Sequence, residues 1–401
     1  MSKFFLRFFV ILLIVVASAI IFLSYFGLET DRFDGLIKGK ANKVNRYIKL
    51  EFQKTKIHLN PRGLNLAVKL QNPKILIKGN EINLSKLDMF LSLKSFFTSD
   101  FLLKRAEVAF VKNDIKDLTK ITNIFLPKII NKRLTKIFSK GSLEGEFIIP
   151  FEVDGSIGKD YGFSGKVSDA LINLTKEFSI KNLTTEIENI KDNENNVFKI
   201  IIKKGSIYDL ELANSVINVK PEKYETKIKS SLRTNGKLNF SQIKKISSLF
   251  ALNIDNFKNI NGNVDLKTNF NFDLNKRFKV KNLSYSTEGK ISYLEILTKE
   301  RKIVRKYLPE YDPKIIIKDS AIKFINSKSN HTTQLSGLIK AIDHFDSFKI
   351  KEIYDYNKKS FDLNGVIDLT HSKVKVSRLN FTKDYGKKSE INFDINFVLN
   401  K

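Results

Sequence analysis

The 401-residue sequence has no cysteine and no tryptophan, only four histidines, and few prolines and glycines, seven and eighteen. Without cysteine there is no disulfide framework, no zinc–thiolate site and no thiol nucleophile. The histidines, His58, His331, His344 and His371, are scattered, and none stands at metal-ligand spacing from another. Motifs of catalysis are missing as well. The nearest approach to a phosphate-binding loop, Gly162-Phe163-Ser164-Gly165-Lys166, has the wrong glycine spacing and runs on into Val167. There is no Gly-x-Ser-x-Gly elbow and no His-Glu-x-x-His. Asp192 and Glu194 sit in a polar stretch that reads as a solvated turn. Glu29, Asp31 and Asp34 precede a helical pattern, where the helix dipole favours negative charge. No catalytic residue, metal or cofactor follows from these residues, and a non-enzymatic protein is the expectation.

One apolar run is long. Residues 8–28, FFVILLIVVASAIIFLSYFGL, carry no charge. As a helix rising about 1.5 Å per residue they cross a hydrocarbon core of about 30 Å. Lys3 and Arg7 precede the run, and acidic residues follow it. Cations stay in the cytoplasm, so everything from Glu29 onward is expected on the far side. A cleaved signal peptide is the rival, with Ala17-Ser18-Ala19 as a small-residue cleavage pattern. Signal peptides have apolar cores of about 7–15 residues that stop at the cleavage site. Here the run continues to Leu28, which favours an uncleaved anchor.

The formal charge is +27, from 70 cationic and 43 acidic residues. The cations are spread along the whole chain rather than gathered in a block or helix stripe. Lys, Asn, Ile and Phe are all abundant, the pattern an AT-rich genome imposes. In Phe278-Lys279-Val280-Lys281, strand geometry puts apolar residues on one side and lysines on the other. Stacking on single-stranded nucleic acid needs both on one exposed face, so no nucleic-acid partner is expected. Attraction to anionic lipid headgroups is a secondary consequence of the charge.

Beyond the anchor, Thr30 or Asp31 is expected to cap a short helix whose apolar residues are Phe33, Leu36, Ile37, Ala41, Val44 and Tyr47. The period then changes to two. Ile48, Leu50 and Phe52 alternate with charged residues, and a turn at Asn60-Pro61-Arg62-Gly63 divides two further strands. Helical spacing returns over Asn113–Lys140, with a kink expected at Pro127, then at Phe240–Phe250 and Thr298–Leu308. The rest of 141–401 reads as strand after strand. Val264, Leu266, Thr268, Phe270, Phe272 and Leu274 share one face of a strand; Ile391, Phe393, Ile395, Phe397 and Leu399 share one face of the last. Such alternation means a sheet with one apolar and one wet face. Some twenty strands at about 4.8 Å each give one continuous sheet a reach of roughly 100 Å.

The first 140 residues resemble the N-terminal module of the AsmA-like family, bacterial envelope proteins of the AsmA, TamB and YhdP type. An anchor and short helix lead into LEFQKTKIHLNPRGLNLAVKLQNPKI, a hairpin of basic strands, and then into residues 91–121. There Leu91-Ser92-Leu93-Lys94-Ser95-Phe96-Phe97 resembles the family's strand-to-short-helix turn. Phe101–Val111 resembles its next strand, and Asp114–Leu118 the entry to its next helix. Residues 141–401 share the repetitive strand character, and the stretch near 230–295 is like the middle of longer members. The chain is short for the family, a small member or an incomplete one.

The expected fold is mainly β with a few helices: an N-terminal transmembrane helix followed by an elongated, curved, groove-like antiparallel sheet. The expected divisions are 1–28 (cytoplasmic N-terminus and anchor), 29–140 (AsmA-like module) and 141–401 (repetitive sheet). The resemblance implies a single-pass bacterial inner-membrane protein, mostly periplasmic, whose apolar groove holds phospholipid in transport to the outer membrane. Val264, Leu266, Phe270, Phe272, Leu274, Ile391, Phe393, Ile395 and Phe397 are the candidate groove lining; Lys3 and Arg7 orient the anchor. Outer-membrane proteins and lipid-handling proteins are further candidate partners. Two alternatives stand beside this. Two sheets closing as a sandwich make the apolar faces ordinary core. A structural or chaperone-like factor aids outer-membrane protein assembly, or targeting to the membrane, by β-strand augmentation.

Overall fold

The computed structural model describes residues 2–398 except 45–46, 62, 64, 78, 98–101, 123–134, 155, 157, 159, 176, 193–194, 250–253, 278, 301 and 308–310. The chain is mainly β. One N-terminal apolar helix is followed by a 20-stranded antiparallel sheet that is not closed on itself. The chain divides into two compact units, residues 1–173 with 186–190, and 174–185 with 191–401.

The first unit opens with α1 (Ser2–Tyr25). Its segment Phe8–Tyr25 is long and apolar enough to cross a membrane, and none of it is buried in the protein. The helix stops because Gly27 turns left-handed (φ +70°), with its N–H and that of Phe26 both donating to the Phe22 carbonyl at 3.2 and 2.8 Å. Strand β1 (Leu28–Glu29) follows at once and pairs with β3 (Lys54–Asn60). Glu29 is therefore a strand residue, ion-paired to Lys54 at 2.8 Å, and not part of a helix start. Helix α2 (Asp34–Val44) begins where the Asp34 carboxylate accepts the Thr55 hydroxyl at 2.5 Å. Its Phe33 and Ile37 side of the chain is buried against Ile57, Val68 and Leu91.

Strands β2 (Ile48–Glu51), β3, β4 (Asn65–Gln71) and β5 (Lys74–Ile77) fall where alternation and turn residues put them. Strand β6 (Asn80–Ser92) is long enough to pair with β5 through its first half and β4 through its second. The reading of one helix over 113–140 is corrected at its two ends. Beyond the single turn α3 (Lys94–Phe97), Asn113 and Asp114 end β7 (Leu103–Asp114), Ile115–Thr122 form α4, residues 135–137 are helical, and Phe138 already begins β8 (Phe138–Pro150). Pairing of Phe138 with Ile172 in β9 (Gly162–Asn173) overrides the local helical spacing. Pro127 and the apolar positions Phe125, Ile129 and Leu134 lie outside the described residues.

The second unit is a meander. Most of β10 (Ser179–Asp192), then β11 (Asn195–Ile207), β12 (Leu210–Pro221) and β13 (Glu225–Leu238) lead to α5 (Phe240–Leu249). Asn239 and Gln242 cap α5 reciprocally, each side chain accepting the other's backbone N–H at 3.1 and 3.0 Å. After it come β14 (Phe257–Asn275), β15 (Val280–Thr298), α6 (Lys302–Tyr307), β16 (Lys314–Asn326), β17 (Asn330–Lys340), β18 (Asp346–Asp355) and β19 (Ser360–Asp368). The helix expected from Thr298 starts only at Lys302, because Thr298 still pairs with Phe257 at the end of β15. A small hairpin, β20 (Val374–Val376) and β21 (Phe381–Lys383), precedes β22 (Glu390–Val398), which returns to pair with β19. Bulges interrupt β12 and β16 at left-handed Asn214 (φ +49°) and Asp319 (φ +45°). Each is followed by a buried serine, Ser215 or Ser320, whose hydroxyl donates to the carbonyl two residues back at 3.0 or 2.7 Å. Asn and Asp tolerate this backbone, and the serine satisfies a carbonyl that the ladder leaves out.

Candidate functional site

In antiparallel pairs, residues directly opposite each other project to the same face. The register of the second unit therefore defines its faces. Phe270 is opposite Tyr285, Tyr285 opposite Asn326, and Asn326 opposite His331. His331 is opposite Tyr354, Tyr354 opposite Phe361, and Phe361 opposite Phe397. One face thus carries β14 residues Leu266, Phe270, Phe272 and Leu274 together with β22 residues Ile391, Phe393, Ile395 and Phe397.

The two sequence-derived groups do not touch, since β15 to β19 lie between them. They are joined by a ladder of rings that the sequence reading missed. Ring centroids are 5.8 Å apart for Phe270–Tyr285, 5.6 Å for Tyr285–Phe324 and for Phe324–His331, and 5.3 Å for His331–Tyr354. The last three pairs are stacked, with interplanar angles of 24°, 27° and 23°. Such contacts add to simple area burial.

The ladder has a polar margin. His331 Nδ1 lies 3.1 Å from the Tyr356 hydroxyl and Nε2 lies 3.3 Å from Glu352. The Tyr356 hydroxyl in turn donates to Asn326 at 2.5 Å. Both imidazole nitrogens are engaged within the protein, so neither is directed at open space. Burial pushes the Tyr285 and Tyr356 phenols above their ordinary pKa, which keeps both neutral.

Exposure changes along the face. Val264 is enclosed with Leu210 and Ile291 in a core cluster and is not open lining. Phe270, Phe272, Tyr285, Phe324 and Tyr354 are half-buried. Ile391, Ile395 and Phe397 are 47, 48 and 54 % exposed, open apolar surface on the last strand. About half of each of these three side chains is therefore left in solvent.

The opposite face is charged. Arg233 grips Asp265 through two nitrogens at 3.2 and 2.9 Å, holding that carboxyl below its ordinary pKa. Lys314 does the same to Glu295 at 2.9 Å, helped by the Tyr293 hydroxyl. The first unit has a shorter apolar row of its own, with Phe110, Phe147 and Phe163 at 5.9 and 4.5 Å. Lys3 and Arg7 fall within α1. Among the described residues no three His, Asp or Glu side chains gather as metal ligands. Comparison with known protein families, curated proteins and solved structures finds no match to this chain.

Proposed function

We propose that this protein is a non-enzymatic carrier that holds phospholipid acyl chains against the apolar face of its sheet. In this reading α1 is a single-pass anchor in a bacterial inner membrane, with Lys3 and Arg7 on the cytoplasmic side and the sheet in the periplasm. The sheet forms a groove supporting lipid transport to the outer membrane and envelope assembly, as the resemblance of residues 1–140 to the AsmA-like family implies. No nucleic acid and no cofactor take part.

One observation carries the reading. An aromatic and aliphatic face runs from β14 to β22, half-buried along the ring ladder and about half exposed on β22. Soluble monomers rarely expose so continuous an apolar surface unless it binds something. A sandwich core, the rival expectation, requires a facing sheet. The experiment is lipid extraction and mass spectrometry on the full chain after exhaustive detergent exchange. Wild type is expected to retain phospholipid in a fixed molar ratio, and Phe270→Asp to lose it while α1 stays inserted. Equal retention by the two proteins removes this face from the function.

A second reading rests on β22. Its outer edge has no partner strand among the described residues, and the strand contains no lysine, proline or bulge to blunt it. Such an edge suits addition of a strand from an outer-membrane protein. Cysteine crosslinking from Asn392 and Asn396 to barrel proteins tests it. Crosslinks at these positions, with no retained lipid, favour the assembly role.

A further inference from the structure

At one end of the second unit's sheet the apolar face runs into a folded insert. Residues 369–389 connect β19 to β22 and contain the β20–β21 hairpin and a short turn, Ser377–Leu379, that touches α6. The insert is pinned by buried polar groups. Asp346, 2 % exposed, accepts the His371 N–H at 2.9 Å and the Ser372 hydroxyl at 2.5 Å. Lys383, 5 % exposed, donates its ammonium to the carbonyls of Leu369, Thr370 and Ser372. Three acceptors match three ammonium donors, so the burial of this charge fixes the loop in place.

Between the insert and the strand ends lies a cavity of about 270 Å³. Ile339, Ile342, Ile367, Val374 and Ile391 supply its apolar walls. The hydroxyls and the carboxylate at its margin are already used, and Lys373 and Lys375, which also border it, are exposed residues. The Tyr311 hydroxyl is 3.0 Å from that of Thr298, and Asp346 is taken by Ser372 and His371. A cavity whose polar groups are satisfied offers water little and accepts apolar guests. Ile367 and Ile391 are cross-strand partners in the same face as Phe393 and Phe397, so the cavity is continuous with the exposed strip.

We infer that this cavity receives the methyl end of an acyl chain whose remainder lies along the strip, an inference that rests on the carrier reading above. Aliphatic walls and spent polar groups select a hydrocarbon terminus over a headgroup.

The test uses the full chain in membrane vesicles supplied with phospholipid carrying a diazirine either on the terminal carbon or at the middle of one acyl chain. After illumination, crosslinked peptides are sequenced. The terminal label is expected on 339–346 and 369–376, and the mid-chain label on β18, β19 and β22. Val374→Phe, which fills the cavity, is expected to lower the terminal-label yield there several-fold. Ile339→Ala, which enlarges it, is expected to raise the yield for longer chains. Terminal labels on the strip but absent from the cavity overturn this inference and leave the carrier reading standing. Yields unchanged in both variants also overturn it. No label anywhere on the second unit overturns the carrier reading itself.

Discussion

The ring of Phe393 lies against the bare backbone of Gly365 on the neighbouring strand. A Cβ at position 365 would come within 2.6 Å of Phe393 Cζ and 2.7 Å of the Lys349 carbonyl oxygen. The glycine thus lets an aromatic side chain of the last strand lie flat on the sheet, and the ring in turn covers a residue with nothing of its own to pack. Gly365→Ala forces the ring away. Overpacking of this kind costs about 1–3 kcal/mol. Chemical denaturation is expected to show that loss, and hydrogen exchange to show it concentrated in β19 and β22.

The ring ladder makes a second prediction, about coupling. Tyr285 and Phe324 stack at 5.6 Å from adjacent strands. A double-mutant cycle with Tyr285→Leu and Phe324→Leu is expected to give a coupling of about 0.5–1.5 kcal/mol beyond the separate losses. Strict additivity would mean that the rings pack independently.

At the end of α1, Gly27 adopts φ +70° and sits under His58, whose Nε2 would be 2.8 Å from an added Cβ. His58 itself is packed there with Nδ1 3.5 Å from the Ser24 carbonyl, and burial lowers its pKa. Gly27→Ala therefore meets both left-handed strain and a clash, together costing roughly 1–3 kcal/mol. Faster amide exchange at Leu28 and Glu29, with the exchange of α1 unchanged, is the expected signature.

The pH dependence contains terms of opposite sign. Burial raises the Asp88 pKa, since the carboxyl is 7 % exposed and faces Glu107 across the ladder. The unfolded chain releases that proton first, so stability falls as pH rises from about 4 through the folded pKa. Asp88→Asn is expected to raise the thermal midpoint at pH 7 and to make no difference below the unfolded value. Asp265 and Glu295, whose pKa values are lowered by Arg233 and Lys314, act the other way. Their contribution is present above the unfolded pKa and is lost as pH falls through the folded one, weakly because both pairs are exposed to solvent.

Much of the strand architecture was legible because period-two alternation and turn residues are local signals. The break between β3 and β4, the two faces of β14 and the start of α5 at Phe240 are all of this kind. Where local and long-range signals disagree, the ladder wins: Phe138 and Thr298 show helical spacing but are held in strands by pairing. The ring ladder was not legible. Tyr285, Phe324, His331 and Tyr354 come from four strands, and only register, shifted by bulges at Asn282 and Asp319, brings them together. Hints did exist in the paired motifs Asn214-Ser215 and Asp319-Ser320, each a left-handed residue followed by a small hydroxyl. The insert over the 369–376 cavity left no periodic trace, because a buried lysine and aspartate hold it rather than an apolar stripe.

On the carrier reading, acyl chains lie on one face of the sheet and not on the other. The absence of cysteine makes the test direct, since any single introduced cysteine is the only thiol to label. Nitroxides would be attached in the full chain at Thr268, on the apolar face of β14, and at Lys267, next to it on the charged face. Their spectra would be recorded with phospholipid bearing a second spin label on an acyl chain. Acyl chains held on the apolar face alone give strong broadening at Thr268 and none at Lys267, which is the result the carrier reading requires. Equal broadening at both sites, or none at either, would contradict it.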